Sequence, residues 1–167
     1  MAETIVDATV VENLIGELLI EGPDKVEPDI RVYYPHESPP APDADDGSDT
    51  PVPRWCRINP VQLPDTMARR SGTSDNDQQP FVVMVTCGVS SAQMRHEPAR
   101  LNQVAHKVAA ALRGAHAEHA TTTHHIQVTH AARETRPGGI HEISQVAVVA
   151  ARGHAQRLSG SSASLDT

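Results

Sequence analysis

The chain has 167 residues, a formal net charge of −7 and 38% hydrophobic residues, with Tyr33, Tyr34, Trp55 and Phe81 its only aromatics. That length suits one domain rather than two, with a modest core built from Val, Ala, Ile and Leu. No apolar run approaches the roughly 20 residues of a membrane span, and Glu3 and Asp7 stand where an export signal carries positive charge, so a soluble, cytoplasmically made protein is expected.

The charge is uneven. Residues 1–50 hold thirteen acids against Lys25 and Arg31, whereas the remainder holds eight acids against twelve bases. A mildly basic part without interleaved aromatics gives little support to specific nucleic-acid recognition. A molecule polarised in this way suits head-to-tail contacts between copies of itself. An acidic, solvated segment attached to an ordinary domain explains the same asymmetry more plainly.

The first predicted element is a helix over residues 4–19, with Ile5, Val6, Val10, Leu14 and Leu18 near one face and Thr4 and Asp7 forming a loose capping box. It ends near Gly22-Pro23, and Gly16 weakens it. Ile30, Val32 and Tyr34 then alternate in a strand of about six residues closed by Pro35. Residues 38–53 carry five prolines and four acids, among them Asp45 and Asp46, with no hydrophobic pattern, which reads as a solvated excursion.

Residues 53–63 return to alternation, with Trp55 and Arg57 on one face and Cys56 and Ile58 on the other, and this strand is expected to pair with the Ile30–Tyr34 strand. A second polar loop over 65–79 starts with Arg69 and Arg70. The β-branched run 79–91 reads as a central strand buried on both faces. Residues 96–114 form the clearest helix, with Pro98 at its start, Gly114 past its end and a stripe of Leu101, Val104, Ala105, Val108 and Leu112. Two last strands, 123–135 and 140–153, are joined through Pro137-Gly138-Gly139, which has the chemistry of a hairpin turn.

The expected fold is therefore α+β: a largely antiparallel or mixed sheet with an N-terminal helix and a second helix packed on it. Residues 1–160 form one domain with insertions at about 36–53 and 65–79, and 161–167 form a flexible tail.

Ten histidines raise the question of a metal, and His116, His119, His124 and His125 are the densest group. Zinc needs three or four ligands converging within about 2.3 Å of one ion. Here His116 and His119 fall in a connection past the helix, and His124 and His125 point to opposite faces of a strand. His141-Glu142 lacks the second His of a zinc-protease helix. Solvent-facing histidines in an Ala- and His-rich connection are the stronger reading, and no cofactor or catalytic residue is expected. Cys56 and Cys87 belong to no CxxC pair; they read as small buried hydrophobes of a reduced compartment, with one disulfide between them left open. Cys87 lacks the flanking signature of a catalytic thiol. Arg69, Arg70, Arg133 and Arg136, together with Asp45 and Asp46, are candidates for subunit or partner contacts.

In this order of elements the chain resembles the tail terminator (tail completion) family of tailed phages. The resemblance rests on a helix before a strand ending Tyr34-Pro35, and a proline-bearing loop leading to a strand that opens Pro53-Arg54-Trp55. A hydrophobic strand from Phe81 to Val89 followed by helix 97–113 and a closing hairpin from Ile126 to Ala151 complete it. It covers about residues 20–152, and the two long insertions depart from it. What it implies is a non-enzymatic virion protein, assembled in the host cytoplasm, that forms a hexameric ring on the head-proximal end of the tail tube. Its implied partners are further copies of itself, the major tail tube protein and a head-completion or neck protein; passage of the genome through the lumen would involve no sequence-specific recognition, and no membrane is implied. Another connector, stopper or tube subunit is the nearest alternative, and a metal-dependent hydrolase using the His116–His125 cluster is the alternative of another class.

Overall fold

In a computed structural model, residues 7–37, 54–63, 78–90, 97–119, 122–137 and 143–157 are described. They form helix α1 (Ala8–Glu21), strands β1 (Arg31–Tyr33), β2 (Arg54–Ile58) and β3 (Gln78–Val89), helix α2 (Ala99–Leu112), and strands β4 (His116–His119), β5 (Thr122–Pro137) and β6 (Ile143–Arg157). The strands make one six-stranded sheet in the order β1-β2-β3-β6-β5-β4. Only β1 and β2 run parallel; every other neighbouring pair is antiparallel. The α+β class, the N-terminal helix, the second helix and the mixed sheet all match the sequence reading.

Helix α1 starts later than the sequence suggests. Its N-cap is Asp7, whose carboxylate accepts from the backbone N–H groups of Thr9 at 2.9 Å and Val10 at 3.4 Å; Thr4 lies outside the described residues. The buried face is also rotated by one residue, to Val11, Leu14, Ile15 and Leu19. Gly16 lies in that face because the Tyr34 ring packs where its Cβ would stand. An oxygen of Glu12 accepts from Val61 N–H at 3.2 Å and ties α1 to the segment after β2.

The β1 ladder is shorter than the six residues predicted. Arg31, Val32 and Tyr33 pair with Trp55, Cys56 and Arg57 before Pro35 and a turn end the strand. Strand β2 presents Cys56 and Ile58 to the core as its alternation predicts, with Trp55 and Arg57 half-buried on the other face.

Strand β3 is central, between β2 and β6, but is not buried on both faces along its length. Phe81, Val83, Val85, Cys87 and Val89 point to the helix side and are buried, whereas Met84 on the outer face is 39% exposed. The outer face closes only near Thr86, which accepts from the Asn59 amide at 2.9 Å, and Gly88, where the Trp55 indole lies against the glycine. A run of β-branched residues is equally compatible with one covered face or two; how far the neighbours reach decides which.

Helix α2 runs from Pro98 as N-cap to Arg113, and Gly114 adopts φ +66° just past it. Its predicted stripe is buried and is widened by Ala109 and Ala111. It crosses β3, β6 and β5, α1 covers β1 and β2, and the two helices touch. The core is the single layer between the helices and one sheet face, and each large side chain buried there contributes roughly 1.5–3 kcal/mol.

Two readings of the chain's second half need correction. The segment holding His116 and His119 is not a loop but β4, whose four residues pair with Thr122–His125 and close the sheet. The last two strands do form the predicted hairpin, longer than expected, pairing from Thr122↔Arg157 to Pro137↔Ile143 with a bulge between Val128 and His130. The Pro-Gly-Gly turn beyond Pro137 lies outside the described residues, as do the 38–53 insertion, most of the 65–79 insertion and the 161–167 tail.

Candidate functional site

The chain lays down its sheet in two halves, and the halves differ in charge. The β1–β2 end, from residues 7–37 and 54–63, holds eight carboxylates against four cationic side chains. The described residues from 78 onward, which build the β3-to-β4 end, hold three carboxylates against seven cationic side chains. The Tyr34 phenol registers the acidic end: its pKa lies above the ordinary value, first through burial and then through the charges of Glu17, Glu37, Glu21 and Glu27. Two of these carboxylates are fixed by backbone N–H groups, Glu27 by Val32 at 3.1 Å and Glu37 by Tyr34 at 3.0 Å.

At the other end the β5–β6 hairpin outruns its neighbours. Pairing of β6 with β3 stops at Cys87↔Ala147, yet the β5–β6 ladder continues through Glu134↔Val146, Thr135↔Gln145, Arg136↔Ser144 and Pro137↔Ile143. Of the two arginines singled out in this stretch, Arg136 lies on that projecting arm opposite Ser144, and Arg133 is exposed at its base opposite Ala147. Arg69, Arg70, Asp45 and Asp46 lie outside the described residues.

The histidine cluster divides between the sheet's two faces. His125 is exposed on the outer face, flanked in register by His116 on β4 and His154 on β6. The His116–His125 ring centroids are 6.2 Å apart and the His125–His154 centroids 5.0 Å apart, with interplanar angles of 26° and 29°. His124 is not solvent-facing: it is 2% exposed on the helix side, beside the Phe81 ring, with Nδ1 3.4 Å from the Ala117 carbonyl. Burial lowers its pKa and that of His154; His125 lowers the His154 value further. His154 escaped the sequence reading because only strand register brings it beside a residue so distant in the chain. Among the described residues no group of three or more His, Cys, Asp or Glu could hold a metal ion; the three outer rings stack instead of converging.

Cys56 and Cys87 are direct cross-strand neighbours, both buried and both free thiols. Burial pushes the Cys56 pKa up to about 12, with the Glu27 charge adding to it, and Cys87 well above its ordinary value. Neither is a thiolate at neutral pH, the state a nucleophile needs. The described surface thus offers no nucleophile–base pair at the cysteines; it offers a polarised sheet, two edge strands and a projecting hairpin. Compared with models of known protein families, with curated proteins and with solved structures, the chain matches none.

Proposed function

We propose that this chain is a structural virion protein of the tail terminator kind, forming a hexameric ring that caps the tail tube and joins it to the neck of the head. The observation that carries the reading is the opposition of charge between the two ends of one sheet, each closed by an edge strand, β1 and β4. Opposite patches at opposite ends form a heterologous contact, and such contacts either close into a ring or run on as a filament. The element order supports the same reading: helix, strand, second strand, hydrophobic strand, helix and closing hairpin follow one another as in the resemblance, with β4 an additional strand between α2 and the hairpin. The β5–β6 arm with Arg133 and Arg136 is then a surface for an adjoining copy, for the major tail tube protein or for a neck protein. In this reading the protein is not an enzyme and needs no cofactor.

The test is the solution mass of the purified protein, with negative-stain images of the same fraction. Closed rings, or monomers that form rings only on added tail tubes, are expected. Open tubes of indefinite length would identify a tube subunit, and a stable monomer that ignores tail tubes and carries stoichiometric zinc would move the assignment to a metal-dependent hydrolase. Arg69 and Arg70, in the polar 65–79 insertion, contact an acidic neighbour in this proposal; reversing both to Glu with full retention of assembly would remove them from the interface.

A further inference from the structure

One corner of the sheet gathers histidines around a weakly attached strand. Strand β4 has only four residues and one strand neighbour, β5. It joins α2 through Gly114, whose φ of +66° suits glycine and whose position has open space where a Cβ would stand. On the outer face, His116 of β4 begins the row that continues through His125 and His154. On the inner face, the buried His124 ring sits against the β4 backbone at Ala117. The strand is therefore flanked by imidazoles on both faces and hinged at one end.

We propose that β4 is an acid-released edge strand: protonation of the imidazoles around it opens its ladder with β5, and Gly114 serves as the hinge. This inference stands independently of the ring reading.

Three effects favour opening as pH falls. Protonation places three cations in one cross-strand row, and like charges directly opposite one another destabilise a strand pair. The charged neighbours on that face come from two strands: Arg152, two residues along β6 from His154, adds repulsion, and Glu118, two residues along β4 from His116, offsets part of it. Thr123 and Gln127 of β5, Gln156 of β6 and Pro80 of β3 opposite His154 are uncharged neighbours. On the inner face, α2 turns its apolar stripe inward while its Lys107 and Arg113 stay exposed, so its buried face supplies no carboxylate to an imidazolium. After burial, the hydrogen bond to the Ala117 carbonyl of β4 favours protonated His124, and the charges of His119 and His125 oppose it.

Burial completes the argument. His124 takes a proton readily only once solvated, and lifting β4 removes the strand that covers one side of it. The His124 pKa is lowered in the closed form, chiefly by burial, so the closed form binds fewer protons than the open one. Opening is therefore favoured as pH falls through the ordinary histidine value of 6.5, and closure is restored above it. Release leaves Thr122–His125 of β5 as the new sheet edge, a template for another strand.

The test is amide hydrogen exchange on the full chain at pH 7.5 and 5.5, corrected for the intrinsic chemical rate. The expected result is at least about tenfold faster exchange at pH 5.5 in β4 and Thr122–His125, corresponding to about one pKa unit of coupling, while Val83–Cys87 of β3 keep their protection. The double variant H116Q/H125Q, which dismantles the outer row, is expected to lose most of this response. H116Q alone, at an exposed edge position, serves if the double variant fails to fold and is expected to show a reduced response. Equal protection of β4 at both pH values would overturn the proposal, as would loss of β3 protection in parallel, which marks global unfolding. An undiminished pH response in the folded variant would overturn it too.

Discussion

At the scale of single residues, Gly16 shows how a local cost is reversed by packing. Glycine in a helix interior is about 1 kcal/mol worse than alanine, so replacement would ordinarily stabilise α1. Here the Tyr34 ring occupies the space of the missing Cβ. Gly16→Ala should therefore lower stability by about 1–3 kcal/mol through overpacking, and Gly16→Ala should become less harmful in a Tyr34→Ala background. Chemical denaturation of the two single variants and the double variant measures this coupling; additivity would refute the packing argument. Gly153 obeys the same logic, since a Cβ there would collide with the Phe81 ring and crowd the His125 carbonyl at 2.5 Å. The paired thiols owe their inertness to a residue-scale cause as well, desolvation on the covered sheet face.

At the scale of elements, α2 contributes stability through its buried stripe and little through its charges. Leu101 is fully buried, so Leu101→Ala should cost about 2–5 kcal/mol. The Lys107–Asp29 ion pair, 3.4 Å apart and exposed at both partners, links the same helix to the turn before β1. Breaking it with Lys107→Ala should cost at most about 1 kcal/mol, because solvent screens the pair and ordering long side chains offsets the attraction. Thermal denaturation of both variants checks the contrast; comparable losses would mean that the ion pair outweighs its exposed setting. The helix was legible in the sequence because Pro98, the stripe and Gly114 agree. Strand β4 was not: its four residues, three of them polar, leave no hydrophobic alternation to read.

At the scale of the molecule, the perturbed groups define a pH window for stability. His124 and His154 have folded values below 6.5, so the unfolded chain takes up protons first and stability falls as pH drops through 6.5 toward those lower values. Cys56, Cys87 and Tyr34 have folded values above 9.0, 9.0 and 10.0, so the unfolded chain loses protons first and stability falls as pH rises past 9. Denaturation midpoints under reducing conditions should accordingly be lower at pH 5 and at pH 10 than at pH 7.5. A midpoint that keeps rising from pH 7.5 to 10 would contradict the burial of the thiols. The separation of charge between the two ends of the sheet belongs to this scale too, and any head-to-tail contact built on exposed charges should weaken as salt screens them.

The sequence by itself determined the kinds of element and most of their places: two helices, the alternating strand at Arg54–Ile58, the run at β3 and the closing hairpin. These signals are local, carried by apolar periodicity and by turn and cap residues within a few positions of one another. It also determined the charge asymmetry, because composition does not depend on folding. Tertiary structure alone decided which face of α1 is buried, that β1 and β2 run parallel, and how much of β3 is covered. It also decided the sorting of the histidines, since His124 faces Phe81 and α2 while His116, His125 and His154 share the outer face. Each of those outcomes depends on register between segments far apart in the chain, and a one-residue slip in register would send every side chain to the opposite face.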